Sequence, residues 1–137
     1  MGRGYGLFMT KLHYRKHIRL RGYDYSDPGY YFVTVCTRGW EKLFVVRTSK
    51  RFGDLLDWDV AATHASPIQH WNTDVAEKCL LGIPEHYAGC EVDFYVFMEN
   101  HLHFILVIGG ACPAATGKVE HPTLGNVVGS FKSAVSR

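Results

Sequence analysis

Hydrophobic and polar positions along the chain follow two rhythms. From Tyr30 to Thr37 the run YYFVTVCT is dense in aromatic and β-branched residues, which suit a pleated surface, and it follows the turn-forming DYSDPG of residues 24–29. This is the first expected strand. A second, short extended piece is expected at Leu43 to Val46, whereas Phe52 to Ala65 fits neither rhythm. From Ser66 the period lengthens: Ile68, Trp71, Val75 and Cys79 recur at helical intervals and define one expected apolar face. Ser66 can cap that helix, Pro67 suits its first position, Gln69 completes the spacing of a capping box, and Gly82 with Pro84 end it. At Glu91 alternation returns in EVDFYVFM, and after the Glu99-Asn100 break HFILVI reads as a further strand. GGACPAATGKVEHP, residues 109–122, is a loop by composition. A last helix is expected from Thr123, with Leu124, Val127, Val128, Phe131 and Val135 on one face.

The order strand, helix, strand, strand, helix is most of a split β-α-β plan with the final strand missing. The fold class expected is therefore α+β, an antiparallel sheet with helices on one face. At 137 residues the chain has room for one core. A composition 47% hydrophobic and 20% charged is that of a globular protein, and no apolar run reaches the length of a membrane span. The N-terminus lacks a continuous apolar segment, so no secretory signal is read there, and a cytoplasmic protein without a membrane partner is expected. Cys36, Cys79, Cys90 and Cys112 are too scattered for a zinc ribbon or a disulfide scaffold and are read as reduced.

The apolar alternation is broken at one informative place. His101 and His103 stand one residue apart at the start of HLHFILVI, so in a strand they share a face while Leu102 points to the other. Their Cα atoms would lie about 6.5 to 7 Å apart, a span from which two imidazoles can converge on one divalent ion. Two ligands do not complete a site, so water or a substrate phosphate would supply the rest. Paired histidines at a strand end are also often only hydrogen-bonded, and spacing alone leaves both readings open.

Charge adds a second feature. Residues 1–51 hold eleven of the fifteen Lys/Arg and three of the thirteen acids. Arg15, Lys16, Arg19 and Arg21 lie among His13, Tyr14, His17, Tyr23 and Tyr25. Cations neutralise phosphates and aromatic rings stack on unpaired bases, so residues 1–22 read as a basic arm for single-stranded nucleic acid, ahead of a domain at 23–137. A merely solvated arm has the same composition. Lys132, on the last helix, is a further candidate phosphate contact.

Three separated segments then share one likeness. VDFYVFMENHLHFILVI resembles the motif of the small single-tyrosine His-hydrophobe-His transposases, RLRGYDYSDPGYYFVTVCTRGWEKLF looks like their N-terminal segment, and TLGNVVGSFKSAV is similar to the helix after their histidine strand. The nearest pattern is that of the transposases associated with repetitive extragenic palindromes, kin to insertion-sequence transposases acting on single-stranded DNA. The resemblance implies a ferredoxin-like core and a divalent metal, Mg²⁺ or Mn²⁺, on His101 and His103. It also implies a hairpin DNA substrate and a tyrosine nucleophile that forms a 5′-phosphotyrosine and frees a 3′-hydroxyl.

The chain departs from that pattern in two places. The family's nucleophile lies on a helix beyond the TLGNVVGSFKSAV helix, after one more strand, whereas all eight tyrosines here precede His101. Relative to the family the chain is expected to be shortened at its C-terminus, without the last strand and tyrosine helix, and to lack tyrosine-dependent cleavage as it stands. The expected function is that of a metal-dependent single-strand DNA endonuclease and strand-transferase domain acting on hairpin DNA, with a residual hairpin or single-strand DNA-binding module without catalysis as the alternative. Tyr95 shares sequence parity with His101 but, as six residues of extended chain, would lie about 20 Å away, too far to substitute. Glu99 stands where the family usually has proline, either as a tolerated exchange or as an extra carboxylate for the ion. A missing last strand would leave Tyr30 to Thr37 as an exposed apolar edge, which favours a homodimer, strand exchange or poor stability.

Overall fold

The computed structural model describes residues 19–49, 66–109 and 121–136. The first strand, β1 (Gly29–Cys36), is followed by a short strand β2 (Arg47–Thr48), the helix α1 (Pro67–Leu81) and a single turn α2 (Ile83–His86). A hairpin of β3 (Cys90–Met98) and β4 (His101–Ile108) leads to the last helix, α3 (Leu124–Val135). The four strands form one antiparallel sheet in the order β1-β4-β3-β2. This is an α+β, ferredoxin-like arrangement with the helices on one face. Among the described residues no helix is long and apolar enough to cross a membrane.

The alternation of the strands sorts their side chains. Leu102, Phe104, Leu106 and Ile108 of β4, Tyr31 and Val33 of β1, and Tyr95 and Phe97 of β3 are buried with Ala76 and Leu80 of α1 and Val127 and Phe131 of α3. Phe104 and Phe131 meet edge to face, with centroids 5.9 Å apart. That arrangement adds specificity to the burial of both rings. The intervening residues face the other way, so the second face of the sheet carries Tyr30, Phe32, Thr34 and Cys36 beside Val107, Ile105, His103 and His101.

Several expectations need correction. The buried face of α1 is Thr73, Ala76 and Leu80, whereas Ile68 and Trp71, read from periodicity as core, are 66% and 64% exposed. A threonine can occupy the buried position because its hydroxyl accepts from Val45 N at 2.9 Å and donates to Gln69 O at 2.7 Å. The N-terminal signal of α1 is borne out: Gln69 Oε1 accepts from Ser66 N at 2.9 Å, and Pro67 opens the helix. The second strand lies just after its expected position. Val45 is buried, but residues 44–49 join β3 as a strand only at Arg47 and Thr48, with Phe44 N bonded to Glu99 O and Ser49 N to Tyr95 O on either side.

At the opposite end of the sheet, Gly109 has a φ of +75° and a Cβ there would lie 2.7 Å from Pro28. Only glycine permits the chain to leave β4 against the turn that precedes β1. The aromatic side chains of Tyr23, Tyr25 and Tyr31 pack together there, and Tyr25 O accepts from Leu124 N, tying the approach to β1 onto the start of α3.

Candidate functional site

His101 and His103 open β4, and the strand's pleat places both on the face away from the helices. Their rings stand 4.7 Å apart, centroid to centroid, at 76° to one another. Each Nδ1 is occupied. Asn100 Oδ1 lies 2.7 Å from His101 Nδ1 and, as a carbonyl oxygen, accepts its proton, which leaves the Nε2 lone pair free. Thr34 Oγ1 lies 2.9 Å from His103 Nδ1, directly across the β1–β4 register. Both partners fix ring orientation, and the Asn100 carbonyl also fixes the His101 tautomer that a metal on Nε2 requires.

The environment also favours the neutral, ligand form of His103. Its pKa is lowered, first by burial and then by the positive charge that His101 would carry. Phe32 from β1 stacks on the His103 ring at 5.3 Å and 23°, so one side of the imidazole is covered by an aromatic face. Phe32 itself is 71% exposed and Tyr30, two residues along the same face, 75%. Neither residue carries a motif that sequence reasoning could have flagged. The alternation of YYFVTVCT is the signal that places them beside the histidines.

The two imidazoles suit a divalent transition ion in donor type, and His101 also in the freedom of its Nε2. Among the described residues, no group of three or more His, Cys, Asp or Glu forms a complete metal site. Oxygen donors from water or a phosphate would have to fill the remaining positions. Glu99 is the bridging turn residue, and its carboxylate pairs with Lys42 at 2.9 Å instead of turning to the histidines. The turn is braced from below, with Asn100 O accepting from Thr37 N and from Thr37 Oγ1, each at 2.9 Å.

The hairpin also corrects the position assigned to Tyr95. The Glu99-Asn100 turn folds β3 back on β4, so Tyr95 pairs with Phe104 and faces the helices. There its hydroxyl donates to Glu77 Oε1 at 2.5 Å, while Arg47 Nη1 holds the same carboxylate at 2.6 Å and Asp74 at 2.8 Å. Burial and the Glu77 carboxylate push the Tyr95 pKa well above the usual tyrosine range. It is a locked structural hydroxyl on the wrong side of the sheet. Tyr30 is on the histidine side, but it lies four residues along β1 from Thr34, about 13 Å of strand.

The expected cations divide between the two ends of the sheet. Arg19 packs over the Tyr25 ring at 5.8 Å and beside Gly125, toward the end where β1 starts and α3 begins. Arg21 is exposed in the same segment, and Arg15 and Lys16 lie outside the described residues. Lys132 is near the other end. With Arg38, Thr37, Cys36 and Leu102 it lines a cavity of about 380 Å³ at the end of β1, below the edge from which His101 emerges. Arg38 is the cation that sequence reasoning missed, because it follows β1 without a motif of its own. A cavity of about 1070 Å³ lies instead between α1, α2 and α3 on the helical side, away from the histidine pair.

The chain matches no family model and no solved structure. It is similar to an uncharacterized protein of Haemophilus influenzae (strain ATCC 51907 / DSM 11121 / KW20 / Rd), 28% identical over 139 residues that cover 91% of this chain and 68% of the relative.

Proposed function

We propose that this chain is the catalytic domain of a single-tyrosine His-hydrophobe-His transposase, a metal-dependent endonuclease and strand-transferase for single-stranded or hairpin DNA. The observation that carries this reading is the histidine pair: two imidazoles with rings 4.7 Å apart on an open sheet face, His101 held through Nδ1 by Asn100 with its Nε2 free, and His103 held through Nδ1 by Thr34. A divalent ion held by His101 and His103 would polarise a phosphoryl oxygen and stabilise charge developing in phosphoryl transfer. Two nitrogen donors suit Mn²⁺ better than Mg²⁺, which prefers an all-oxygen shell. Asn100 and Thr34 hold the rings, Phe32 and Tyr30 offer stacking surfaces for unpaired bases, and Arg38 and Lys132 offer phosphate contacts at the same end.

None of the described tyrosines is poised as nucleophile, so hairpin DNA binding without turnover is the behaviour assigned to these residues. The orientation of Tyr95 toward Glu77 favours this second reading over cleavage by the chain as it stands. A second copy of the chain is the other partner assigned.

Incubation with a hairpin oligonucleotide and Mn²⁺ separates these outcomes. Retention of the hairpin that falls with salt, strengthens with Mn²⁺ and loses that Mn²⁺ dependence in His101→Ala/His103→Ala is the expected result. A covalent protein–DNA adduct would identify a nucleophile within this chain and overturn the binding-only reading. No retention even at low salt would overturn both.

A further inference from the structure

His101 has a sulfur-bearing neighbour on each side. Cys36 is its partner on β1 and Met98 its partner on β3, and partners across a sheet project from the same face. Cys36 is a free, exposed thiol, and Met98 is exposed as well. One end of the open face therefore gathers a thiol, a thioether and two imidazoles.

The type of pairing brings Cys36 close to His101. Thr37 N donates to Asn100 O, which marks Thr37 and Asn100 as a hydrogen-bonded pair and the next pair, Cys36 with His101, as a non-hydrogen-bonded one. In such pairs the Cα atoms are only about 4.5 Å apart and the side chains approach most closely. Thr34 and His103 are the following pair of the same type, and there the γ oxygen of the β1 residue stands 2.9 Å from an imidazole nitrogen. Cys36 carries its Sγ at the corresponding position beside His101. Asn100 holds Nδ1 of His101 and leaves Nε2 free, while the Glu99 carboxylate is paired with Lys42. The donor that stands beside the free nitrogen is sulfur.

We propose that Cys36, as thiolate, is the third protein ligand of the ion carried by His101 and His103, so that the site takes Zn²⁺ in preference to Mn²⁺ or Mg²⁺. This rests on the reading that the histidine pair holds an ion, and not on DNA as the substrate. Thiolate selects Zn²⁺ over ions that seek oxygen. Three protein ligands with a fourth position open to water or a phosphate oxygen is the arrangement of catalytic zinc sites, whereas structural sites are closed. As the side chains stand, no three His, Cys, Asp or Glu donors among the described residues close on one point. Sulfur and nitrogen on one tetrahedral Zn²⁺ are about 3.6 Å apart, from bonds of about 2.3 and 2.0 Å. Rotation of the exposed Cys36 side chain to another staggered χ1 well is the movement the site requires, and the thiol proton passes to solvent as the bond to the ion forms.

The test is made on the full chain without DNA, with Co²⁺ as a spectroscopic probe of the zinc position. A near-ultraviolet thiolate-to-cobalt charge-transfer band that Zn²⁺ discharges is expected. Cys36→Ser is expected to lose that band, to keep the weaker visible absorption of cobalt on imidazole, and to bind Zn²⁺ less tightly by more than the roughly 10- to 100-fold that loss of an outer partner costs. His101→Ala/His103→Ala is expected to lose both absorptions. Because Cys36 is exposed, the circular dichroism spectrum of Cys36→Ser is expected to match that of the wild type. Cobalt absorption without a charge-transfer band in the wild type would overturn the ligand role of Cys36 and leave the ion on the histidines. A charge-transfer band that persists in Cys36→Ser would overturn it by assigning the thiolate to another cysteine. No cobalt binding by the wild type would overturn the histidine reading together with this one.

Discussion

The two site histidines occupy different environments although they are one residue apart. His103 lies under Phe32 and against Thr34, and both its burial and the neighbouring His101 depress its pKa. An NMR titration of the metal-free chain is expected to place His103 below the ordinary histidine value of about 6.5 and to show a rise toward it in His101→Ala. No rise in that variant would mean that burial alone sets the shift. The sign for folding follows: a depressed folded-state pKa contributes stability that is present above the unfolded value and is lost as pH falls toward the folded one. Tyr95 behaves oppositely. Its raised pKa contributes stability that is complete below about pH 10 and is lost as pH rises through the folded-state value. Tyr95→Phe is expected to cost about 1.5 to 3 kcal/mol at neutral pH, for a hydrogen bond to a charged group, and to soften the alkaline transition in urea melts.

At the scale of the elements, α1 shows how a helix can be recognised by its ends and misjudged by its faces. Ser66, Pro67 and Gln69 made its start legible because capping chemistry is local. The face was not legible because the core position nearest Val45 is filled by a threonine that satisfies both the loop and its own helix. Thr73→Val keeps the shape but leaves Val45 N without an acceptor. Chemical denaturation is expected to show a loss of about 1 to 3 kcal/mol, against near neutrality if the position were only a packing site. The strands were legible for the complementary reason: period-two alternation in β3 and β4 is imposed by the sheet, and Phe104 sits where it predicts. Phe104→Ala, opposite Phe131, is expected to cost about 3 to 5 kcal/mol. The histidine pair was readable from that same alternation. Its partners Thr34 and Phe32 were not, because they come from a strand nearly seventy residues earlier whose register only the sheet reveals.

At the scale of the whole molecule, the sequence separates charge along the chain and the fold redistributes part of it in space. Arg19 and Arg21 belong to the end where β1 starts, Arg38 and Lys132 to the end where the histidines emerge, about 24 Å of strand away. A DNA strand laid over the open face would meet Tyr30, Phe32 and the imidazoles, whereas Arg19 beside Gly125 and Lys132 on α3 would have to reach it from the helical side. The electrostatic and aromatic contributions can then be separated by salt. On a single strand, every phosphate that a protein cation neutralises steepens the fall of log affinity with log salt by about 0.7. Replacing Arg15, Lys16, Arg19 and Arg21 together by Gln is expected to flatten the slope by up to about 3, whereas Phe32→Ala weakens binding at every salt concentration with the slope unchanged. Fluorescence anisotropy of a labelled hairpin across a salt series gives both quantities. An unchanged slope in the fourfold variant would remove the basic segment from the interface, and an unchanged affinity in Phe32→Ala would remove the open face.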